Sequence, residues 1–320
     1  MEHDARADVG PGPGPPRRRR LGVVASSAFS LLLVASLYVL FPVGALIAPL
    51  GMIPVLHAQA GGRRGVVVWG PVVALLMVAG VAGYGGIALP VLAAYLLVVV
   101  VPSAGIDLWP KAGWTEGRWA AVCVAAGLVL CLAAFAGAAW PQAPQTAALD
   151  WLRAGVEQSL EQSPEALAGV GEVQLDLMER VGSWILPSLP VAYLVAVLFW
   201  IRPRLRLLGF ALPVGPFEAY RSEEWLPAAF AAAGGATLLL HGTPRWVALN
   251  ALVAVLALYF VHGLAIIRAH LARFVGRRWF VRWGVALLCL WGPLPPIVSM
   301  LGLTDSFWDL RRRAEDDGGQ

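Results

Sequence analysis

The stretch WVALNALVAVLALYFVHGLAII, residues 246–267, decides the fold. It contains no Asp, Glu, Lys or Arg, and its strongly polar side chains are Asn250 and His262. As an α-helix rising about 1.5 Å per residue, it exceeds the roughly 30 Å of hydrocarbon in a bilayer. The run is solidly apolar rather than alternating. A barrel strand is therefore excluded, and a helix is the element that satisfies its own backbone in lipid.

Similar runs recur outward in both directions. They cover 21–41, 42–58, 66–82, 86–101, 119–140, 184–201 and 225–241 before this one, and 284–303 after it. The reading is an all-α, polytopic transmembrane bundle of eight or nine membrane segments. Composition agrees: 58 % of the 320 residues are hydrophobic, 14 % are charged and the mean hydropathy is +0.70. A soluble domain carries about 25 % charged residues. The second run holds Pro42, Pro49 and Pro54, and the last holds Pro293, Pro295 and Pro296. Both are expected to bend or re-enter.

The first run is preceded by Arg17–Arg20 and resembles a secretory leader. It is longer than the roughly 7–15 apolar residues of a leader and lacks a small-x-small cleavage site, so a retained first span is expected. Residues 1–20 read as a disordered basic cytoplasmic tail, residues 21–313 as the transmembrane domain, and residues 314–320 as a disordered acidic tail.

The net charge of +4 comes from 23 Arg and one Lys against 20 acids. These cations stand in short clusters between apolar runs, which points to topology and to the lipid bilayer rather than to nucleic acid. Cytoplasmic loops are enriched in Lys and Arg. Arg17–Arg20 place the N-terminus in the cytoplasm of a bacterial inner membrane. One alternating path then brings Arg63 and Arg64, Lys111 and Arg118, Arg202 to Arg206, and Arg268 to Arg282 to the same side. A ninth full crossing breaks the pattern, because it puts Arg311–Arg313 outside.

The long loop 141–183 falls on the external side and carries seven acids against Arg153 and Arg180. Leu149, Leu152, Val156 and Leu160 share one helical face, and Asp150, Glu157, Glu161 and Glu165 lie about 130° away. Ser163-Pro164 reads as a helix stop and restart. The loop is either an amphipathic lid over an external vestibule or a solvated helical hairpin.

Motifs for chemistry are sparse. The phosphate-cradling loop ending in Lys-Ser or Lys-Thr, the H-E-x-x-H pair and the G-x-S-x-G elbow do not occur. Cys123, Cys131 and Cys289 fall inside apolar runs, where Cys serves as a small apolar filler. No catalytic residue, metal site or cofactor is expected. Polar groups at membrane depth are costly and mark function or helix contacts. Asn250 and His262 are accordingly candidate ligand-binding residues, with an interhelical hydrogen bond as the alternative for each. Gly22, Ser26 and Ser30 recur every four residues and form a stripe for a partner helix or for packing within the chain. Most of the 14 Trp residues flank the runs, the position of an interfacial belt.

Several stretches carry a family resemblance: WILPSLPVAYLVAVLFW (184–200), RSEEWLPAAFAAAG (221–234), LNALVAVLALYFVHGLAIIRAHLARF (249–274), FPVGALIAPLGMIPVLHAQAGGRRG (41–65) and the ending LGLTDSFWDLRRR (301–313). Across about residues 20–313 the chain resembles the YybS-like family of predicted bacterial membrane proteins, a domain family of unknown function. Gly302, Asp305, Asp309 and Arg311 stand where that family's closing G-x-x-D…D-x-R pattern places them. In hydropathy and arrangement the family is similar to the substrate-binding membrane components of energy-coupling-factor vitamin transporters. The resemblance implies a ligand-binding membrane subunit for a small organic molecule, with a separate ATPase and a transmembrane coupling subunit as partners. The alternative is a non-transporting scaffold that holds a partner complex through the small-residue stripe and the Arg clusters. Asp305 and Asp309 are expected on one face of a short helix after Pro296 with Thr304 as its N-cap, Asp309 pairing with Arg312 or Arg313 to latch the last segment.

Overall fold

The computed structural model describes residues 22–39, 43–63, 65–80, 88–162, 181–275, 284–285, 287–291 and 293–308. Both terminal tails, the second half of the external loop, the Ser163-Pro164 restart, and Asp309 with Arg311–Arg313 lie outside the described residues. The chain is an all-α helical membrane bundle, with no β-strand among the described residues.

The first six helices are α1 (Val23–Val39), α2 (Val43–Ile47), α3 (Met52–Ala60), α4 (Gly65–Gly80), α5 (Ala88–Tyr95) and α6 (Val101–Ala112). The second six are α7 (Glu116–Ala139), α8 (Pro144–Gln162), α9 (Ser188–Leu207), α10 (Leu226–Leu239), α11 (Gly242–Val275) and α12 (Leu294–Trp308). Five stretches are long and apolar enough to cross a membrane: Val43–Ala60, Pro90–Ala112, Glu116–Ala139, Ser188–Leu207 and Gly242–Ala272. The other expected segments form shorter helices, with 17 residues in α1, 16 in α4, 14 in α10 and 15 in α12. Such helices are only about 21–26 Å long at 1.5 Å per residue.

Two of the five spans are interrupted. A 3-10 turn at Ala48–Gly51, carrying Pro49, separates α2 from α3. A π-helical turn at Leu96–Val100 separates α5 from α6, ahead of Pro102. The two irregular turns pack against each other. The second run, expected to bend or re-enter, is thus interrupted by a 3-10 turn at Pro49. The fourth run continues past its expected end at residue 101 to Ala112.

Local chemistry sets the ends of α6 and α7. Gly113, at φ +61°, closes α6 in the left-handed conformation that glycine adopts without steric cost. The Thr115 hydroxyl then accepts from the Arg118 amide at 3.1 Å and caps α7. Glu116 stands in the first turn, where a negative charge meets the helix dipole favourably.

In lipid, close van der Waals contact holds helices together more than water expulsion does. Gly127 of α7 is one such contact. A Cβ there would lie 2.6 Å from Leu194 Cδ2 and 2.9 Å from Leu97 Cδ1, so the missing side chain lets both leucines meet α7. The most extensive helix pair is α11 with α12. Gly263 fits against the Val298 carbonyl, and Gly302 fits against the Tyr259 carbonyl and the Gly263 amide. The Ser299 hydroxyl donates to Leu256 O at 3.0 Å, shared with Pro295 O of its own helix at 2.9 Å.

The small-residue stripe of α1 is an internal packing face. Ser26, Ser27 and Ser30 are fully buried, and Ser30 donates to the Gly51 carbonyl at 2.6 Å. Gly22 stands exposed at the start of the helix. The Thr304 expectation is corrected: Thr304 lies within α12 and its hydroxyl donates to Met300 O, so no new helix starts there. The chain stays helical through it because Pro295 and Pro296 occupy the first turn, where a missing amide costs nothing.

Candidate functional site

Residues 208–225 leave α9, cross the Arg-rich end of the bundle and lead into α10. Gly209, at φ +90°, makes the turn out of α9. The rest is irregular apart from one 3-10 turn at Phe217–Ala219, and it sends Leu212, Val214 and Tyr220 into the apolar core. Charged and aromatic side chains from three helices hold it.

Arg202 of α9 supplies the first anchor. Its guanidinium grips the Glu116 carboxylate with two nitrogens, Nη2 standing 2.9 Å from Oε2. Nη2 also donates to the carbonyls of Gly215 at 2.9 Å and Pro216 at 3.2 Å. The Arg202 side chain is 4 % exposed, so this charge is buried and matched. The Thr115 hydroxyl meets Glu223, and the Gly117 backbone lies directly under the Arg221 carbonyl. From α11, Arg268 Nε donates to Glu218 Oε1 at 2.7 Å. The Arg202 and Arg268 guanidinium groups each stand over the Phe217 ring, 5.8 Å and 5.5 Å from its centroid.

Deeper in, aromatic edges lead to a buried, hydrogen-bonded His–Asp pair. Phe199 meets Tyr220 edge-on at 4.8 Å, and Tyr220 meets His262 edge-on at 6.3 Å. Burial pushes the Tyr220 phenol well above its ordinary value. The Glu116 carboxylate adds to this, so Tyr220 stays neutral at physiological pH. His262 Nδ1 lies 2.8 Å from the Ser222 hydroxyl and Nε2 lies 3.0 Å from Asp305 Oδ2. The His262 and Asp305 side chains are each 3 % exposed. Gly263 and Gly302 make this pairing possible by letting α11 and α12 approach backbone to backbone.

The hydrogen bonding has a defined sense. With Asp305 ionised, Nε2 of a neutral imidazole carries the proton and donates it to the carboxylate. Nδ1 then accepts from Ser222. A second proton on His262 makes Nδ1 a donor and turns Ser222 into the acceptor.

Asn250, the other depth-polar candidate, stands near the opposite end of α11 and fastens helices together. Its side-chain oxygen accepts from the Ser188 amide at 3.0 Å, and its amide nitrogen donates to Trp184 O and Trp246 O at 2.8 Å each. Trp246 Nε1 donates to Ser183 O at 3.3 Å beside it. These bonds close the start of α9 onto α11. Asn250 is fully buried, with its amide engaged on both atoms.

A second polar region lies in the first half of the chain around the interrupted helices. Gln59 Nε2 donates to Ser103 O at 3.2 Å. Gln59 Oε1 and the hydroxyls of Ser26, Ser27 and Ser103 are buried without a hydrogen-bond partner among the described residues. The Ser27 hydroxyl and the Tyr95 phenol face the Gly70 backbone, where a Cβ would lie 3.2 Å and 3.1 Å from them.

The structure therefore brings His262 and Asp305 together and sets Asn250 and the serine stripe elsewhere. Glu116, Arg202, Tyr220 and Ser222 belong to the same constellation, and sequence reading passes over them as candidates. The available signal was the polar run Glu218 to Glu224 just before a span, which marks a loop without naming what it touches.

No curated protein matches the chain, and no solved structure matches it. The family described as predicted membrane protein (DUF2232) has a model that matches residues 27–306, and the chain belongs to that family.

Proposed function

We infer that this membrane protein is a substrate-binding or transport component for a small organic molecule, not an enzyme. It would sit in the bacterial inner membrane with its N-terminus and Arg-rich end in the cytoplasm. The observation that carries this reading is the contact between the two interrupted spans. Irregular 3-10 and π turns inside otherwise continuous helices frequently mark functional sites, because they shift the backbone hydrogen-bond register locally. Buried polar atoms with unused hydrogen-bonding capacity line the same half of the bundle, at Ser26, Ser27, Gln59 and Ser103. Each unmatched group costs about 1–3 kcal/mol, a cost that a bound polar ligand or water would remove.

The resemblance to the YybS-like family, and through it to energy-coupling-factor components, supports the same reading. It adds a separate ATPase and a transmembrane coupling subunit as partners, with no nucleic acid. The scaffold alternative loses one of its surfaces, since Ser26 and Ser30 are covered within the chain.

The test is purification of the full chain from its native membrane in mild detergent. Mass spectrometry then identifies co-purifying small molecules and proteins. A small molecule enriched over a control membrane protein, and lost in Gln59→Leu and Ser27→Ala, is the expected result. The same chain carrying no enriched molecule would sink the reading.

A further inference from the structure

The buried polar atoms in the first half of the bundle lie in one neighbourhood. Gly44 rests against the Ser36 carbonyl and Gly51 against the Ser30 carbonyl, so α1 runs antiparallel to α2 and α3. Continuing that register brings Ser26 to within about one turn of Gln59, roughly 5 Å along the axis. Gln59 Nε2 donates to the Ser103 carbonyl, which brings α6 to the same level. Tyr95 ends α5 about 12 Å before Ser103, at 1.5 Å per residue. Its phenol and the Ser27 hydroxyl both face the Gly70 backbone of α4, which has no side chain to put between them. The π turn Leu96–Val100 covers the stretch between Tyr95 and Ser103.

The hydrogen-bonding capacity left over there has a definite chemistry. Ser26, Ser27 and Ser103 are fully buried, and Gln59 is 6 % exposed. Gln59 spends an amide N–H on the Ser103 carbonyl, while its Oε1 meets no partner among the described residues. A carboxamide oxygen only accepts, so whatever meets it must donate. The three serine hydroxyls, also without a partner, can each donate and accept. No buried charge is set beside them. Among the described residues the buried Arg, His and acidic side chains are Arg202, His262 and Asp305, all in the second half of the chain. Helices α1, α4 and α5 carry no Asp, Glu, Lys, Arg or His. His57 of α3 is exposed, and Arg63 beyond it is partly exposed. Asp107 and Lys111 of α6 are bonded to each other and reach solvent.

We propose that this site takes an uncharged small molecule bearing N–H or O–H donors, an amide or hydroxyl compound. It is held by Tyr95 and Ser27 at one end and by Gln59 and Ser103 at the other. This rests on the carrier reading and gives that carrier its substrate class. The Gln59 carbonyl selects a donor, and the serine hydroxyls adapt to whatever groups the rest of the molecule presents. A carboxylate, phosphate or ammonium compound would lose its hydration and meet no countercharge, so the site rejects it. A neutral amide or alcohol exchanges its bonds to water for bonds to groups that are otherwise unmatched.

The experiment measures the thermal midpoint of the full chain after exhaustive dialysis in detergent. The probes are three pools of a small-molecule extract from the cells that make it. One pool is the neutral flow-through of anion- and cation-exchange resins in series, and the other two are the eluates of those resins. The neutral pool should raise the midpoint and the eluates should not. With no pool added, Ser26→Ala and Ser103→Ala should keep or raise the midpoint, because each removes a buried hydroxyl that has no partner to strand. Both variants, and Gln59→Leu, should need about tenfold more of the neutral pool for half the shift. A shift from either charged eluate would overturn the uncharged class and leave the carrier reading standing. No shift from any pool, the outcome expected of buried water only, would overturn both. A lower midpoint in the dialysed Ala variants, or an unchanged response to the neutral pool, would make these hydroxyls packing groups and overturn the site.

Discussion

Arg202 Nη2 stands 2.9 Å from Glu116 Oε2 and 2.9 Å from the Gly215 carbonyl, so one side chain joins α9, α7 and the loop 208–225. The pair is nearly dry, and its geometry is bidentate. Removing one partner from such a pair leaves a buried charge with nothing to match it, which costs about 3–5 kcal/mol. Arg202→Met should therefore lower the yield of monodisperse protein and its thermal midpoint in detergent. Glu116→Gln should do so less, since the amide still accepts from Arg202. The double variant Arg202→Met with Glu116→Leu should recover much of the loss. Single variants as stable as the parent would mean that the pair is solvated in the membrane.

Asn250 makes a different prediction, because its amide is fully used by the chain. Asn250→Leu strands the Ser188 amide and the Trp184 carbonyl, whose loss should cost about 1–3 kcal/mol. Interhelical hydrogen bonds in membranes average less, about 0.6 kcal/mol, so the lower end of that range is expected. The thermal midpoint should fall, while binding of any co-purified molecule by the remaining folded protein stays unchanged. A selective loss of the bound molecule with no loss of stability would return Asn250 to the ligand site.

Gly263 and Gly302 test the close approach that creates the His262–Asp305 contact. A Cβ on either would overlap a carbonyl of the neighbouring helix, and backbone cannot yield as a side-chain tip can. Gly302→Ala and Gly263→Ala should each destabilise by about 1–3 kcal/mol or more. Gly234→Ala in α10, where a Cβ meets nothing within 4 Å, should be neutral or slightly stabilising. The readout is folded fraction by fluorescence-detected size exclusion after a heating series. Equal tolerance at all three positions would show that α11 and α12 lie further apart.

Much of the fold is legible in the sequence because hydropathy reports depth directly. The run around Asn250 and His262 and the Pro-broken second run each correspond to a feature of the structure. Lateral partners are not legible, since apolar periodicity is weak when a helix is apolar on every side. The π turn at Leu96–Val100 lies in an unbroken run of Leu and Val, and Pro102 just beyond it is its one sequence mark. Trp109, Trp119 and Trp246 read as interfacial residues, yet each is buried. Trp109 and Trp119 stack at 5.0 Å, and Trp246 donates to Ser183 O. Of the site, His262 stood out as a costly polar group and Asp305 as part of the family's closing pattern, but their pairing spans 43 residues, and Glu116 with Arg202 spans 86. Separations of that size have no periodic signature in one sequence.

Topology can be tested with what the structure adds to the charge pattern. Glu116, Arg202, Ser222, His262 and Arg268 meet at one end of α7, α9 and α11. At the other end of α11, Thr243 reaches Gln145 at 3.5 Å, and Trp246 and Asn250 bind residues 183–188. The 24 residues of α7 separate the two ends by about 36 Å, enough for a bilayer. The enrichment of cytoplasmic loops in Arg assigns the first end to the cytoplasm. Two exposed positions report on the two ends, Arg206 and Glu157. The native Cys123, Cys131 and Cys289 are buried and contribute little background. On intact cells, a membrane-impermeant maleimide should label Glu157→Cys and leave Arg206→Cys unlabelled until the membrane is opened. Labelling of both sites on intact cells would place the two ends on one side and refute the span assignment of α7 and α9. The reverse pattern would keep the spans and invert the protein, moving the His262–Asp305 pair to the external face.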